Sequence, residues 1–227
     1  MSIVGILGGT FDPVHVGHLD VARAARRALN LDRVLLMPAN VPPHRASPRA
    51  TAPHRFAMAA LAAAFEDGLA LLDLEMLSGE PSYTSATLDR LDARGLDTRR
   101  VYLITGADAF RDIATWKDYP AILERCHFAV VSRPDCAASS LRHLLPDLAD
   151  RMTDGFGVRG SGFEPRTSNL VLIDAPTAPV SSTDIRRRLG AGEPITGLVP
   201  DLVADHIRKH GLYTQESTLT SLTHAKS

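Results

Sequence analysis

Six short apolar runs alternate with helix-period segments along almost the whole chain, and that alternation constrains the fold more than any other feature. The apolar runs are residues 2–7, Val34–Met37, Leu69–Leu72, Val101–Thr105, Phe128–Val131 and Leu170–Ile173. Segments with apolar residues three and four apart lie at 16–29, 53–65, 84–94, 118–125, 182–189 and 201–210. Continuous apolar runs of this length suit strands buried on both faces, and a helix between successive strands is the crossover that parallel pairing demands. The expected fold is therefore α/β: a doubly wound, mostly parallel sheet with helices on both faces. No linker or internal repeat divides the chain, so residues 1–213 read as one domain. The Ser/Thr-rich stretch 214–227 has no apolar period and reads as a frayed tail. Pro200 suits a first helical position, and Gly190 and Gly211 suit helix C-caps. Residues 154–169, with Gly155, Gly157, Gly160 and Gly162, read as a surface loop.

Bulk properties exclude several classes of function. At 227 residues the chain is long enough for one sizeable core, and its formal net charge of -1 is wrong for a general polyanion binder. A basic stripe interleaved with aromatics is missing, so nucleic acid is not an expected partner. Lys117, Lys209 and Lys226 are the only lysines, an arginine bias that carries no functional meaning by itself. Cys126 and Cys136 are too few for a disulfide framework or a thiolate zinc cage. No apolar stretch approaches the roughly 20 residues of a membrane span. The first residues lack a basic segment and reach Asp12 too soon for a signal peptide, so a reducing cytoplasm is the expected compartment.

The first strand runs into Gly8-Gly9-Thr10-Phe11-Asp12-Pro13-Val14-His15-Val16-Gly17-His18, and a helix pattern starts at once. In an open parallel sheet, ligands bind beyond the carboxyl ends of the strands, which is where this turn sits. Gly8 and Gly9 let backbone approach a ligand, and free N–H groups at a helix start attract an anion. His15 and His18 fall on one side of that start, where imidazoles can donate to phosphate oxygens. Asp12-Pro13 sets the turn. The stretch is neither a P-loop nor a GxGxxG turn. A His-x-x-His metal site is the other reading, but no third ligand is evident nearby.

The complete string resembles the signature of the nucleotidyltransferase superfamily, the (T/H)xGH enzymes related to class I aminoacyl-tRNA synthetases. Val180-Ser181-Ser182-Thr183-Asp184-Ile185-Arg186 resembles the same superfamily's ISSTxIR element, with Val in the first place. Further segments are similar to those of bacterial nicotinate-nucleotide adenylyltransferases. They are Pro38-Ala39-Asn40-Val41-Pro42-Pro43-His44-Arg45, Ser82-Tyr83-Thr84 with Thr87-Leu88, Gly106-Ala107-Asp108 with Trp116-Lys117, and Leu212-Tyr213. The resemblance runs from about residue 3 to 213.

It implies a Rossmann-like nucleotidyltransferase fold and adenylyl transfer from ATP to nicotinate mononucleotide, giving deamido-NAD and pyrophosphate. By position it implies that His15, His18 and Arg186 stabilise the transferring phosphate. Gly8, Gly9, Thr10, Phe11, Gly106, Asp108, Ser181, Ser182 and Thr183 would bind ATP. Asn40, His44, Arg45, Tyr83, Thr84 and Trp116 would surround the mononucleotide. Mg²⁺ would arrive with the triphosphate, with no metal held by protein side chains. Assembly into a homo-oligomer is compatible with the sequence and not specified by it. Nicotinamide mononucleotide or phosphopantetheine adenylyl transfer, or a non-catalytic nucleotide sensor on the same fold, are the alternatives.

Overall fold

A computed structural model describes residues 3–41, 47–76, 78–155 and 170–214. Its strands are β1 (Val4–Gly9), β2 (Arg33–Pro38), β3 (Leu69–Leu71), β4 (Val101–Gly106), β5 (His127–Val131), β6 (Met152–Asp154) and β7 (Leu170–Ile173). They form one seven-stranded sheet in the order β3-β2-β1-β4-β5-β7-β6, and each pairing is parallel. The α-helices are α1 (Val16–Leu29), α2 (Ala52–Ala63), α3 (Thr84–Ala93), α4 (Ala107–Phe110), α5 (Leu141–Leu144), α6 (Ser182–Gly190) and α7 (Asp201–Lys209). Among the described residues, no helix is long and apolar enough to cross a membrane.

Side chains alternate across the central strands into two separate cores. Leu7, Ile104, Val131 and Ile173 face the layer that contains α1, α2, α6 and α7. Their neighbours Ile6, Leu103, Val130 and Leu172 face the layer built on Leu88, Leu91, Phe110 and Leu141. Burial on both faces explains why these strands read as unbroken apolar runs, each buried Leu, Ile or Val contributing roughly 1.5–3 kcal/mol.

The doubly wound parallel sheet matches the sequence expectation, and α1 begins and ends where its apolar period does. Three elements differ. Residues 118–125 do not form an α-helix: Asp118 has φ 63, Pro120 follows, and only a 3₁₀ turn at Ala121–Glu124 remains. Proline lacks the donor a helix needs and pushes the residue before it out of the α region. Asp154, expected in a loop, closes β6, and the Gly155 N–H bonds the Leu172 carbonyl at 2.8 Å. Pro200 stands one place before α7, as its N-cap. Residues 156–169 and 215–227, expected as loop and tail, lie outside the described residues, apart from Thr214 at the chain's described end.

The strand ends that face the site are tied down by one buried cation. Arg55 of α2 is 1% exposed. It donates to the carbonyls of Thr10 (2.9 Å), Asn40 (3.1 Å), Ala50 (3.3 Å) and Ala39. The Thr10, Ala39 and Asn40 carbonyls lie past the ends of β1 and β2, where the sheet ladder no longer supplies donors, and Ala50 leads into α2. Burial lowers the Arg55 pKa, while the charge of Asp12 works in the opposite direction. Arg55→Met should leave the carbonyls unpaired and an acidic partner uncompensated. The expected loss is about 3–5 kcal/mol, and the melting temperature of a chain this size should fall by roughly 6–20 °C. A thermal scan of the variant checks this.

Candidate functional site

The sheet order reverses between β1 and β4: one leads to β2 and the other to β5. A crevice opens beyond the carboxyl ends of such a pair. Here it is a cavity of about 920 Å³ that receives residues from both ends of the sequence. Gly8 and Gly9 end β1, Gly106 ends β4, and Arg133 follows β5. A Cβ on Gly9 would lie 2.9 Å from the Phe11 ring, and one on Gly106 would lie 2.4 Å from an Asp108 carboxylate oxygen. Both glycines therefore make room for the side chain two residues further on.

The opening turn is held by Asp12, which is 4% exposed. Its carboxylate accepts from the Arg49 N–H (2.8 Å), the Ala50 N–H (3.0 Å) and the Tyr213 hydroxyl (2.7 Å). Tyr213 is buried, and burial together with the nearby Asp12 charge pushes its phenol well above the usual range. The two motifs meet at this turn. Arg186 donates to the Asp12 main-chain carbonyl at 2.7 Å and to the Thr183 hydroxyl at 3.1 Å. Ser182 donates to the Pro13 carbonyl at 2.9 Å. Ser181 caps α6, its hydroxyl accepting from the Asp184 N–H at 3.1 Å.

His15 and His18 stack, ring centroids 3.7 Å apart. The His15 main-chain N–H donates to His18 Nδ1 at 3.2 Å. A nitrogen that accepts cannot carry the proton, so the His18 proton sits on Nε2, which is a donor. Phe11 meets the His18 ring edge-on at 5.0 Å. His15 is 2% exposed, and among the described residues its buried Nδ1 has no hydrogen-bond partner. Burial first, and the charge of Arg133 second, lower its pKa to about 3. Both rings stand on the cavity wall with Arg133 and Arg186, so the wall combines imidazole donors with permanent cations.

Tyr83 and Thr84, at the start of α3, and Trp116 line the same cavity. Among the described residues, no side chain caps the α3 start, whose first main-chain N–H groups have no partner within the helix. Trp116 packs edge-on to Phe128, ring centroids 6.4 Å apart, and the Lys117 ammonium lies 5.0 Å from the centre of the Tyr83 ring. Thr10, Phe11 and Asp108 also line the cavity. Asn40 does not line it; its amide donates to the Ser78 carbonyl at 2.6 Å. His44 and Arg45 lie outside the described residues.

Charged residues that sequence reasoning missed include Arg133 and Glu75 on the cavity wall, besides Arg55, which lies behind the site. Arg133 follows the end of β5, and the rule that ligands gather at strand carboxyl ends would have pointed to it. Glu75 is 4% exposed on the cavity wall and accepts from the Thr87 hydroxyl. Burial raises its pKa above the usual carboxylate range, against the lowering effect of the Thr87 hydrogen bond and the charge of Arg90. No pattern in the sequence marks it. Among the described residues, no three His, Cys, Asp or Glu side chains form a group able to hold a metal ion.

Comparisons agree with this geometry. The cytidylyltransferase-like family pattern matches residues 6–188. A protein of Roseiflexus sp. (strain RS-1), described as a probable nicotinate-nucleotide adenylyltransferase, is 42% identical across 92% of this chain and 97% of its own length. One of the same description from Pseudomonas syringae pv. tomato is 38% identical, with 95% of each chain covered. In fold, the chain is similar to Plasmodium falciparum nicotinic acid mononucleotide adenylyltransferase complexed with NaAD. That match has a TM-score of 0.68 at 18% identity and covers 94% of this chain and 98% of the other. With both signature motifs meeting at Asp12 and relatives matched nearly end to end, the chain belongs to the cytidylyltransferase-like family, among the nicotinate-nucleotide adenylyltransferases.

Proposed function

We propose that this chain transfers the adenylyl group of MgATP to nicotinate mononucleotide, releasing pyrophosphate and deamido-NAD. The observation that carries this reading is one shared cavity. The histidines and Arg186 of the two motifs line it together with Tyr83, Thr84 and Trp116. A volume of about 920 Å³ is in the range of pockets that hold nucleotide-sized ligands.

An oxygen of the mononucleotide's 5′-phosphate attacks the α-phosphorus in line. The new P–O bond forms as the bond to the β-phosphate bridging oxygen breaks, and pyrophosphate leaves with that electron pair. A phosphate monoester is largely ionised at neutral pH, so the chain need not supply a general base. Its residues align the two substrates and cancel the charge that builds on the transferring group and leaving oxygen. His18, with its proton on Nε2, donates without first gaining another. The orphaned His15 Nδ1, Arg133 and Arg186 complete that set, with Asp108 near the ATP ribose. Mg²⁺ enters as part of the substrate, held by the triphosphate, and offsets its charge.

For the mononucleotide, the main-chain N–H groups at the α3 start and the helix dipole receive the nicotinate carboxylate. Trp116 stacks on the pyridine ring. An amide offers NH₂ donors to groups that are themselves donors, and it lacks the charge that strengthens the contact.

The direct test is pyrophosphate release from MgATP with nicotinate mononucleotide, nicotinamide mononucleotide or phosphopantetheine as acceptor. The acid mononucleotide should be preferred over the amide by roughly ten- to a hundred-fold in kcat/KM. Equal use of acid and amide would remove the carboxylate subsite, and phosphopantetheine turnover alone would remove the proposed acceptor altogether. His18→Ala should retain its fold and melting temperature while kcat falls by about 10²–10³. Single-turnover kinetics beside a thermal scan check this.

The His15 shift makes a separate prediction. A histidine whose folded pKa lies below its unfolded value destabilises the fold as pH falls from about 6.5 towards 3, because the unfolded chain takes the proton more readily. In ligand-free protein the His15 ring should stay neutral down to about pH 4, read from its imidazole ¹⁵N shifts. Titration near 6.5 would contradict the burial argument.

A further inference from the structure

Away from the cavity, three imidazoles meet where α2 packs on α7. His54 of α2 faces His206 of α7 and His210, one turn further along. His54 Nδ1 and His206 Nε2 are 3.1 Å apart. Ring centroids are 5.3 Å apart for His54 and His206, 4.9 Å for His54 and His210, and 4.4 Å for His206 and His210. One hydrogen bond between two imidazoles needs one donor nitrogen and one acceptor nitrogen. The pair can carry one extra proton, but a second leaves two N–H groups facing each other.

Among the described residues, the surroundings offer little to absorb that charge. The charged groups acting on His206 are His210, His54 and Lys209, and the one acting on His54 is His210. None of these is a carboxylate. The nearby Asp205 of α7 is engaged by Arg208 at 2.9 Å. Partial burial, and then the neighbouring imidazoles, lower the pKa of both rings.

Both helices lead directly to the turn that carries the opening motif. The residue after His54 is Arg55, which grips the Thr10, Ala39 and Asn40 carbonyls. The chain beyond His210 turns through Gly211 at φ 57, and the Leu212 N–H bonds back to the Ile207 carbonyl at 3.0 Å. Tyr213 then reaches Asp12. The imidazole contact thus clamps together the two elements that hold Asp12 and the end of β1.

We propose that His54, His206 and His210 form an acid-sensitive latch between α2 and α7, closed while the rings share one hydrogen bond and loosened when a second ring is protonated. Opening slackens the Tyr213–Asp12 contact and with it the turn on which Arg186 rests. The direction follows from linkage. Rings with folded pKa values below the unfolded value stabilise α2–α7 packing at neutral pH relative to acid pH, and that stability is lost as pH falls below about 6.5.

The test compares the wild-type chain with His54→Asn/His206→Gln, whose amides can hydrogen-bond but cannot titrate. Melting temperature is measured from pH 5 to 8, and hydrogen exchange of the α7 and Leu212–Tyr213 amides, corrected for intrinsic rates, at pH 5.5 and 7.5. The wild type should lose at least about 2–4 °C more than the variant between pH 7.5 and 5.5. Its α7 amides should open more at the lower pH, and those of the variant should not. Parallel curves in both measurements would overturn the latch. Should the double variant fail to fold, His210→Gln, which removes a charge that lowers the pKa of both other rings, should make the acid loss smaller, and an unchanged profile counts against the proposal.

The same scans are run with EDTA and with Zn²⁺. Stabilisation by Zn²⁺ that needs the histidines, without their differential acid response, would make the cluster a metal site instead and overturn the latch. A rise in KM for ATP on acidification, confined to the wild type, is the functional arm. It alone rests on the adenylyl-transfer reading; the melting and exchange arms stand without it.

Discussion

A parallel sheet builds its ligand crevice from the place where its own hydrogen bonding stops. Beyond the ends of β1 and β2, main-chain carbonyls have left the ladder yet remain partly shielded from water. Arg55 resolves this conflict with one planar, permanently charged fork that serves carbonyls from several segments. Asp12 is its acidic counterpart, accepting two main-chain N–H groups and the Tyr213 hydroxyl. Between them they connect the first strand, the second helix and the last described turn. The sheet can therefore present Gly8, Gly9 and the two histidines in a fixed arrangement, although the glycines have no side chains to anchor them.

The legible parts of the sequence are those whose meaning is local. A strand, a glycine pair, a turn and a helix start occupy consecutive residues, so the order of residues alone places the opening motif at a strand's carboxyl end. Ser181 and Arg186 are legible for the same reason: a cap hydroxyl and an arginine five residues later belong to one helix start. Arg55 is not legible, since inside a segment of small apolar residues it reads as an ordinary solvated arginine. Only the tertiary fold surrounds it with carbonyls. Glu75 is hidden in the same way, its partner Thr87 lying across a connection. β6 escapes because three residues carry too little periodicity, and the expected helix at 118–125 fails because Pro120 outweighs the apolar spacing around it.

The electrostatic design of the cavity divides labour between two kinds of donor. Arginines bring charge that no accessible pH removes, and they suit the ends of a polyanion that is always ionised. His15 is kept neutral by burial and by Arg133, and with His18 it offers directional hydrogen bonds rather than net charge. A wall made only of cations would hold the starting triphosphate and the departing pyrophosphate equally well. In the proposed transfer, directional donors at the reacting phosphorus would respond to charge that appears there, which is where binding accelerates a reaction.

The outermost strands of the sheet, β3 and β6, are three residues each, while the strands between them run to four, five or six. An exposed strand edge is a template on which a foreign chain can add itself, and its strength grows with the number of main-chain groups it offers in register. Six-residue strands as apolar as β2 and β4 would be hazardous in that position. Placing them inside and ending the sheet on stubs leaves little for a neighbouring molecule to pair with. The fold thus keeps its most adhesive segments out of reach in a crowded solution.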